Sequence, residues 1–505
     1  MSAKPVSPDR SEDEKGPSRR QALKAGLLGA AAFAGGAAVV HQVLQRARAA
    51  AQVAEDAGTG AGGGTPGAAQ ASSAGAGGRS EASSAGRAEA SGESAGASGA
   101  QAPAAKAGEG PAPKSAVAPA RRGNPTEFKG DAPKGELWEN WVKRGWAREG
   151  RHWEKQGKDV LCQLCANECL LEPESRGRCR NRVNKNGTLY TLAYGNPCAF
   201  HVDPIEKKPL YHFLPETRAF SIATAGCCLR CLHCQNWEIS QAKPEETKDP
   251  RDPEVRADLA RLERLSLSER ARLSMFPEDV VSLAKASRSQ SIAYTYSEPS
   301  VFFEYMYDSA KLAREHRIKN VWVTCGYLRE PGRKELFTVL DAANVTLKSI
   351  SEKMYRVLNT ASLQPVLDTL LMLHREGVWF EVTHLMVPTY TDDLAETEKL
   401  CGWLVEKLGP DRPVHFLRFF PQHKLTHLPP TPAQLLLKAR EVARKAGLRY
   451  VYIGGAPEIR DSGTTYCPHC KEPVIERRYM TVTRSEIENG SCGGCKTKIA
   501  GVWSA

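Results

Sequence analysis

Several features are missing from this 505-residue chain. The uncharged stretch from Ala25 to Val40 is too short, and too rich in Ala and Gly, to read as a membrane span. No clustered basic stripe is present either. Of the formal net charge of +11, the first fifty residues contribute +4 (eight basic, four acidic) and residues 51–125 contribute none (six of each). The excess of +7 over the rest is too dilute for a nucleic-acid footprint, so no nucleic-acid partner is expected. Residues 51–125 lack large apolar side chains to repay ordering entropy. This Ala/Gly/Ser-rich composition, carried to about residue 135, predicts a disordered linker over 51–135 without chemistry of its own.

Near the start stands "SRRQALKAGLLGAAAFAGGAAVV". Arg19 and Arg20 precede a weakly hydrophobic stretch, and "ARA" at Ala47 to Ala49 has the small residues of a cleavage site. Residues 1–50 therefore read as a twin-arginine signal, with a basic, Ala-rich helix as the alternative. The signal predicts an exported or membrane-tethered protein; otherwise the location is cytoplasmic.

The fifteen cysteines fall into groups. Cys162, Cys165, Cys169 and Cys179 occur in "CQLCANECLLEPESRGRC". Cys227, Cys231 and Cys234 occur in "CCLRCLHC". Cys467 and Cys470 in "CPHC" pair with Cys492 and Cys495 in "CGGC". The chain is long enough to build a core without disulfide staples. The last group has the spacing of a zinc ribbon, with "PVIERRYMTVTR" between the knuckles as a hairpin; a redox or disulfide role is the alternative. The first group is less regular and fits zinc or an auxiliary iron–sulfur cluster. The middle group lacks a fourth partner. A structural zinc takes four protein ligands, and a four-iron cluster with full ligation takes four thiolates. Three thiolates on one loop leave one iron open to a substrate or cofactor.

From Phe220 onward, short β-rich runs alternate with amphipathic stretches whose apolar residues recur every three or four positions. The runs are "FSIATAG", "SIAYTYS", "KNVWVTCG", "ANVTLKS", "VWFEVTHLMV", "VHFLRFF" and "RYVYIGG". Alternation of this kind implies parallel strands joined by right-handed crossovers. The fold class is α/β: a partial (β/α)6-type barrel over residues 211–455. A small Cys-rich module at 136–210 precedes it and a zinc-ribbon-like module at 456–505 follows. Active sites of such barrels lie at the C-terminal ends of the strands. The cysteine triad, "YTYSEP", "TCGY" and "TLKS" all fall there.

The CxxxCxxC loop after the first barrel strand is the signature of radical S-adenosylmethionine (SAM) enzymes. With "HVDPIEKKPLYHF", "CQNWEISQA", "LDAANVTLK", "EVTHLMVP" and "HFLRFFP", the chain resembles the radical SAM member of the AmmeMemoRadiSam system over roughly residues 150–503. That group is similar to the pyruvate formate-lyase activating enzymes. The resemblance implies a [4Fe–4S] cluster on Cys227, Cys231 and Cys234, with S-adenosylmethionine on the open iron. Reductive cleavage there would give a 5′-deoxyadenosyl radical for hydrogen abstraction from an unknown substrate. Glu298 would meet the methionine ammonium, its alternative role being a helix cap near Pro299. Lys348 would contact the cofactor, or else be an ordinary exposed lysine. His233 would pack near the adenine. The resemblance also implies an electron donor such as flavodoxin or ferredoxin, and Memo-like and AMMECR-type partner proteins.

The sequence departs from the family at several positions. Thr346 stands where Asp is usual, Cys228 and Cys325 where Asn is common, and Asn167 where His is frequent. The charged stretch 249–274 reads as an insertion forming a surface helix. Two other functions compete: a glycyl-radical-enzyme activase, and an iron–sulfur electron carrier that uses no SAM. The three-cysteine loop argues against the carrier, because ferredoxins keep four thiolates per cluster.

Overall fold

A computed structural model describes residues 130–247 and 274–504. The signal segment, almost all of the linker and nearly all of the charged stretch 249–274 lie outside the described residues. Among the described residues no helix is long and apolar enough to cross a membrane.

The core is one sheet of eight strands: β1 (Ala199–Pro204), β2 (Arg218–Ala223), β3 (Ser291–Tyr294), β4 (Lys319–Thr324), β5 (Ala342–Thr346), β6 (Trp379–Met386), β7 (Val414–Arg418) and β8 (Val451–Gly454). Each strand pairs with its neighbour in sequence, in the order β8-β7-β6-β5-β4-β3-β2-β1. β1 runs antiparallel to β2, with Ala219 opposite Asp203, and the other seven strands are parallel. Right-handed crossovers along a strand order that never reverses put every helix on one face. The sheet is therefore a barrel wall and not a doubly wound sheet. β1 and β8 do not pair among the described residues, so the barrel is open, and its parallel run is one strand longer than a (β/α)6 unit.

The long helices of the barrel are α1 (Pro277–Ala286), α2 (Phe303–Glu315), α3 (Glu330–Phe337), α4 (Gln364–Arg375), α5 (Leu394–Leu408) and α6 (Ala433–Lys445). α1 starts with Pro277 in its first turn, and the Asp279 carboxylate accepts from the Phe276 amide at 2.9 Å. α2 buries Phe303, Met306, Ala310 and Ala313, the stripe its sequence pattern demands. Full burial of each large side chain in that stripe is worth about 1.5–3 kcal/mol.

The bottom of the barrel is closed by a buried polar network. Glu381 on β6 accepts from the amides of Tyr211 and His212 at 3.0 and 2.7 Å, and its Oε2 lies 2.7 Å from His415 Nε2. Much of "DPIEKKPLYHF" therefore has structural work. The C-terminal segment docks here, since the Arg477 guanidinium donates to the Tyr211 carbonyl at 2.6 Å and to Thr465 Oγ1 at 2.9 Å. In that segment Pro473–Arg478 and Thr481–Ser485 form the expected hairpin.

Residues 130–191 build two small antiparallel sheets of five and three strands. They are not insulated from the barrel. Val160, Leu164 and Leu171 share one apolar core with Val301, Phe302 and Leu328. The Arg329 amide donates to the Leu164 carbonyl at 2.9 Å, and the Ala166 amide to that of Tyr327 at 3.2 Å.

Candidate functional site

β2 ends at Ala223, and the loop that follows carries the cysteine triad. Gly226 has φ +96, and a Cβ there would stand 2.3 Å from the carbonyl oxygen of Cys179 and 2.7 Å from Asn181 Oδ1. Only glycine allows this approach. The loop is held from both sides. Asn181 Nδ2 donates to the Ala225 carbonyl at 2.7 Å, and Asn167 Nδ2 to the Cys228 carbonyl at 2.8 Å. The Arg230 guanidinium reaches the carbonyls of Cys227 and Leu229, both at 3.0 Å, and also that of Arg178. On the other side the Arg230 and Leu232 amides donate to the carbonyls of Asn359 and Leu358 at 3.0 and 2.9 Å. Those acceptors belong to a π-helical turn, Tyr355–Asn359, closed by Thr360 at φ +53. Such turns mark functional sites more often than ordinary helix.

Each triad sulfur has a polar group against it. The Leu229 amide donates to Cys227 Sγ at 3.4 Å, and Asn359 Nδ2 to Cys231 Sγ at 3.2 Å. Cys234 Sγ and Ser240 Oγ are 3.1 Å apart. Donors of this kind orient and stabilise metal-bound thiolates. A hydrogen bond from Cys228, the largest influence, pulls the Cys227 thiol down. Burial holds Cys231 up and pushes Cys234 up to about 12. Metal binding at such a loop is coupled to loss of the thiol protons.

The three other predicted residues converge on this loop. Glu298 follows β3 and is 3 % exposed. Its Oε1 accepts from Ser300 N at 3.1 Å, Ser300 Oγ at 2.6 Å and Thr324 Oγ1 at 2.7 Å, while Oε2 accepts from the Cys325 amide at 2.7 Å. The cap at Pro299 is thus real, and the Cys325 thiol lies beside the same carboxylate. The carboxylate is close enough to raise the thiols of Cys227 and Cys325. Lys348 follows β5. Burial pulls its ammonium down, but Cys231, Cys325, Cys234 and Cys227 together hold it above its ordinary value. His233 is buried, its imidazole pushed well down by burial and by Lys348, and its Nδ1 has no partner among the described residues. The three sulfurs with their donors, the unsatisfied His233 nitrogen and the cation at Lys348 fit an anionic cluster with a polar ligand beside it.

Spacing and periodicity pass over two features of this region. Asn359 is 128 residues from its sulfur partner and carries no motif. The two cysteines that stand in place of Asn, Cys228 and Cys325, prove to be neighbours, with sulfurs 4.0 Å apart. Asn167, in place of His, spends its side chain on the loop carbonyl and on Cys165 Sγ at 3.6 Å.

All fifteen cysteines are free thiols. The sulfurs of Cys467, Cys470, Cys492 and Cys495 lie within 4.8 Å of one another, with Cys467 to Cys495 at 3.5 Å and Cys470 to Cys492 at 3.8 Å. Four sulfurs 2.3 Å from one ion define a tetrahedron with edges of about 3.8 Å. This quartet is shaped for a single four-coordinate metal ion.

The radical SAM superfamily model matches residues 221–401. The uncharacterized protein MJ0808 of Methanocaldococcus jannaschii is 39% identical over 355 residues, which span 70% of this chain and 98% of that protein. Among solved structures, a domain of pyruvate-formate lyase-activating enzyme from Bacteroides vulgatus is 15% identical, with TM-score 0.29, over 33% of this chain and 99% of that one. A radical SAM methyltransferase from Sphaerobacter thermophilus is 13% identical, with TM-score 0.35, over 48% and 69%. Scores this low carry no argument, and the family rests on the model match and the sequence relative. That family implies a [4Fe–4S] cluster, S-adenosylmethionine, a substrate and a reductant. The matched segment begins inside β2 and takes in the whole cysteine loop, and the relative extends the likeness over nearly its full length. This chain belongs to the radical SAM superfamily, and it is an enzyme whose iron–sulfur cluster cleaves S-adenosylmethionine.

Proposed function

We propose that this enzyme removes a hydrogen atom from its substrate as the radical SAM component of an AmmeMemoRadiSam-type system. Memo-like and AMMECR-type proteins are its partners, and a flavodoxin or ferredoxin its electron donor. When bound, the cluster and S-adenosylmethionine supply a one-electron cleavage that yields the 5′-deoxyadenosyl radical. The observation that carries the reading is the loop itself: three thiols at the C-terminal end of one strand, each with a polar group at its sulfur. The motifs "DPIEKKPLYHF" and "CQNWEISQ" around that loop support the system and its partners.

In this reading Cys227, Cys231 and Cys234 would hold the [4Fe–4S] cluster, beside which S-adenosylmethionine would bind. Glu298, fixed by four hydrogen bonds, offers its carboxylate to the methionine ammonium. Lys348 balances the negative charge of the thiolates. His233 turns its unsatisfied nitrogen to the adenine. Cys467, Cys470, Cys492 and Cys495 hold a structural zinc ion.

Anaerobically reconstituted full-length protein, reduced and given S-adenosylmethionine, is expected to release 5′-deoxyadenosine, and Cys231→Ala is expected to release none. Release at the wild-type rate by that variant would overturn the assignment.

A further inference from the structure

A second cysteine group lies against the first. Cys162, Cys165, Cys169 and Cys179 line one cavity, together with Leu164, Leu171 and Val301. The hydrogen bond from Asn167 to the Cys228 carbonyl and the bare contact at Gly226 join this group to the radical loop. The Cys228 thiol also lies near the Cys165 sulfur.

The protein contains its own standard for what these four thiols hold. The C-terminal quartet is drawn to the edge length of a single-ion tetrahedron. Among the described residues no other three metal-ligating groups come within 4.8 Å of one another, so no three of these four sulfurs do. The radical triad, which holds a cluster in this family, shares that wider spacing. The wider spacing suits a cubane, which presents a separate iron to each sulfur, where a zinc ion needs four sulfurs around one centre.

The surroundings also suit a cluster. Main-chain amides of Leu164, Asn167, Arg178 and Asn181 lie against the sulfurs of Cys162, Cys165, Cys169 and Cys179 respectively. Asn167 Nδ2 adds a donor at Cys165. Arg182 is buried, pairs with Glu304 at 2.7 and 2.8 Å, and places its positive charge beside Cys162, Cys165 and Cys179. Its Nε has no partner among the described residues. Hydrogen bonds to sulfur and a buried cation are how a protein tunes and neutralises such a group.

We propose that Cys162, Cys165, Cys169 and Cys179 hold a second, fully thiolate-ligated [4Fe–4S] cluster, packed against the radical loop, and not a zinc ion. The assignment goes beyond the proposed function and does not depend on its substrate or partners.

The test uses the full-length chain with Cys227, Cys231 and Cys234 all changed to Ala, reconstituted anaerobically with iron and sulfide. Iron, sulfide and zinc are counted, and the reduced protein is examined by electron paramagnetic resonance. The expected result is about four irons and four sulfides per chain, with a [4Fe–4S] signal. Adding Cys162→Ala and Cys179→Ala should remove that iron and leave the zinc count unchanged. A triad variant without iron, whether it binds about two zinc ions or only one, overturns the proposal. If the added changes prevent folding, the triad variant alone still decides. Failure of the radical reading would look different: iron would not fall between wild type and triad variant, and the second cluster would stand.

Discussion

The side-chain amide of Asn359 donates to the sulfur of Cys231 across 3.2 Å, from a position that is fully buried. Its own Oδ1 has no partner among the described residues, so this donation is what holds the side chain in place. A donor to a cluster thiolate favours the more reduced, more negative state. Asn359→Ala is therefore expected to keep the cluster and shift its midpoint potential to more negative values, on the order of tens of millivolts. Redox titration followed by electron paramagnetic resonance measures this. An unchanged potential would show that the contact is only structural.

The C-terminal quartet should carry one metal ion. Purified protein is expected to contain about one zinc per chain, and a strong chelator should free the segment after Gly455 to limited proteolysis. The segment has a small apolar core, in which Cys467, Val474, Cys492 and Ile499 cluster with the tyrosines of the barrel. Equal protease resistance with and without chelator would refute a structural ion.

Acid should loosen the same region through a different residue. His212 Nδ1 meets the Ala500 carbonyl at 2.6 Å, and Nε2 meets the Tyr452 hydroxyl. Burial, the largest influence, pushes the imidazole down to about 4; Arg477 and His415 add to this, while Glu381 and the Ala500 carbonyl oppose it. The folded value lies below that of the unfolded chain, so the unfolded chain takes the proton first. Stability from neutral His212 is complete above about pH 6.5 and is lost as pH falls toward 4, up to about 3 kcal/mol. Melting temperatures from about pH 7 down to about pH 4.5 should fall less steeply in His212→Asn than in the wild type. Parallel slopes would remove His212 from the account.

The leader yields a cellular experiment. A reporter fused after residue 60 is expected outside the cytoplasm, and Arg19→Lys with Arg20→Lys should retain it inside at unchanged charge. A wild-type reporter that stays soluble in the cytoplasm would end the export reading and leave the enzyme beside the cell's S-adenosylmethionine.

The barrel was legible because its strands and helices obey two clear periods. β3, β4, β6, β7 and β8 fall inside the β-rich runs, β2 and β5 begin two residues and one residue before theirs, and α1, α2, α4, α5 and α6 coincide with amphipathic stretches. α3 was not legible: "EPGRKELF" buries only Gly332, Arg333, Leu336 and Phe337, with no stripe to read. Nor was β1, where only Phe200 to Asp203 alternate in polarity, the burial does not follow, and the place is fixed by pairing with β2. At the site, motif and rim position were enough to put the triad, Glu298 and Lys348 at the same ends of neighbouring strands. Asn359, Asn181 and Arg182 were not legible, since each acts on residues distant in sequence and no local pattern records such contacts.

The empty side-chain position at Gly226 limits how this enzyme can be cut down. A carbonyl from residue 179 fills the space there, so the shape of the radical loop belongs to two stretches of chain at once. A trimmed protein beginning at β2 would keep every cysteine of the triad and lose the wall that bends them into place. It should be isolated as a barrel without iron. The order of maturation follows from the same contact: the segment around Cys179 must be seated before the loop can accept its inorganic load.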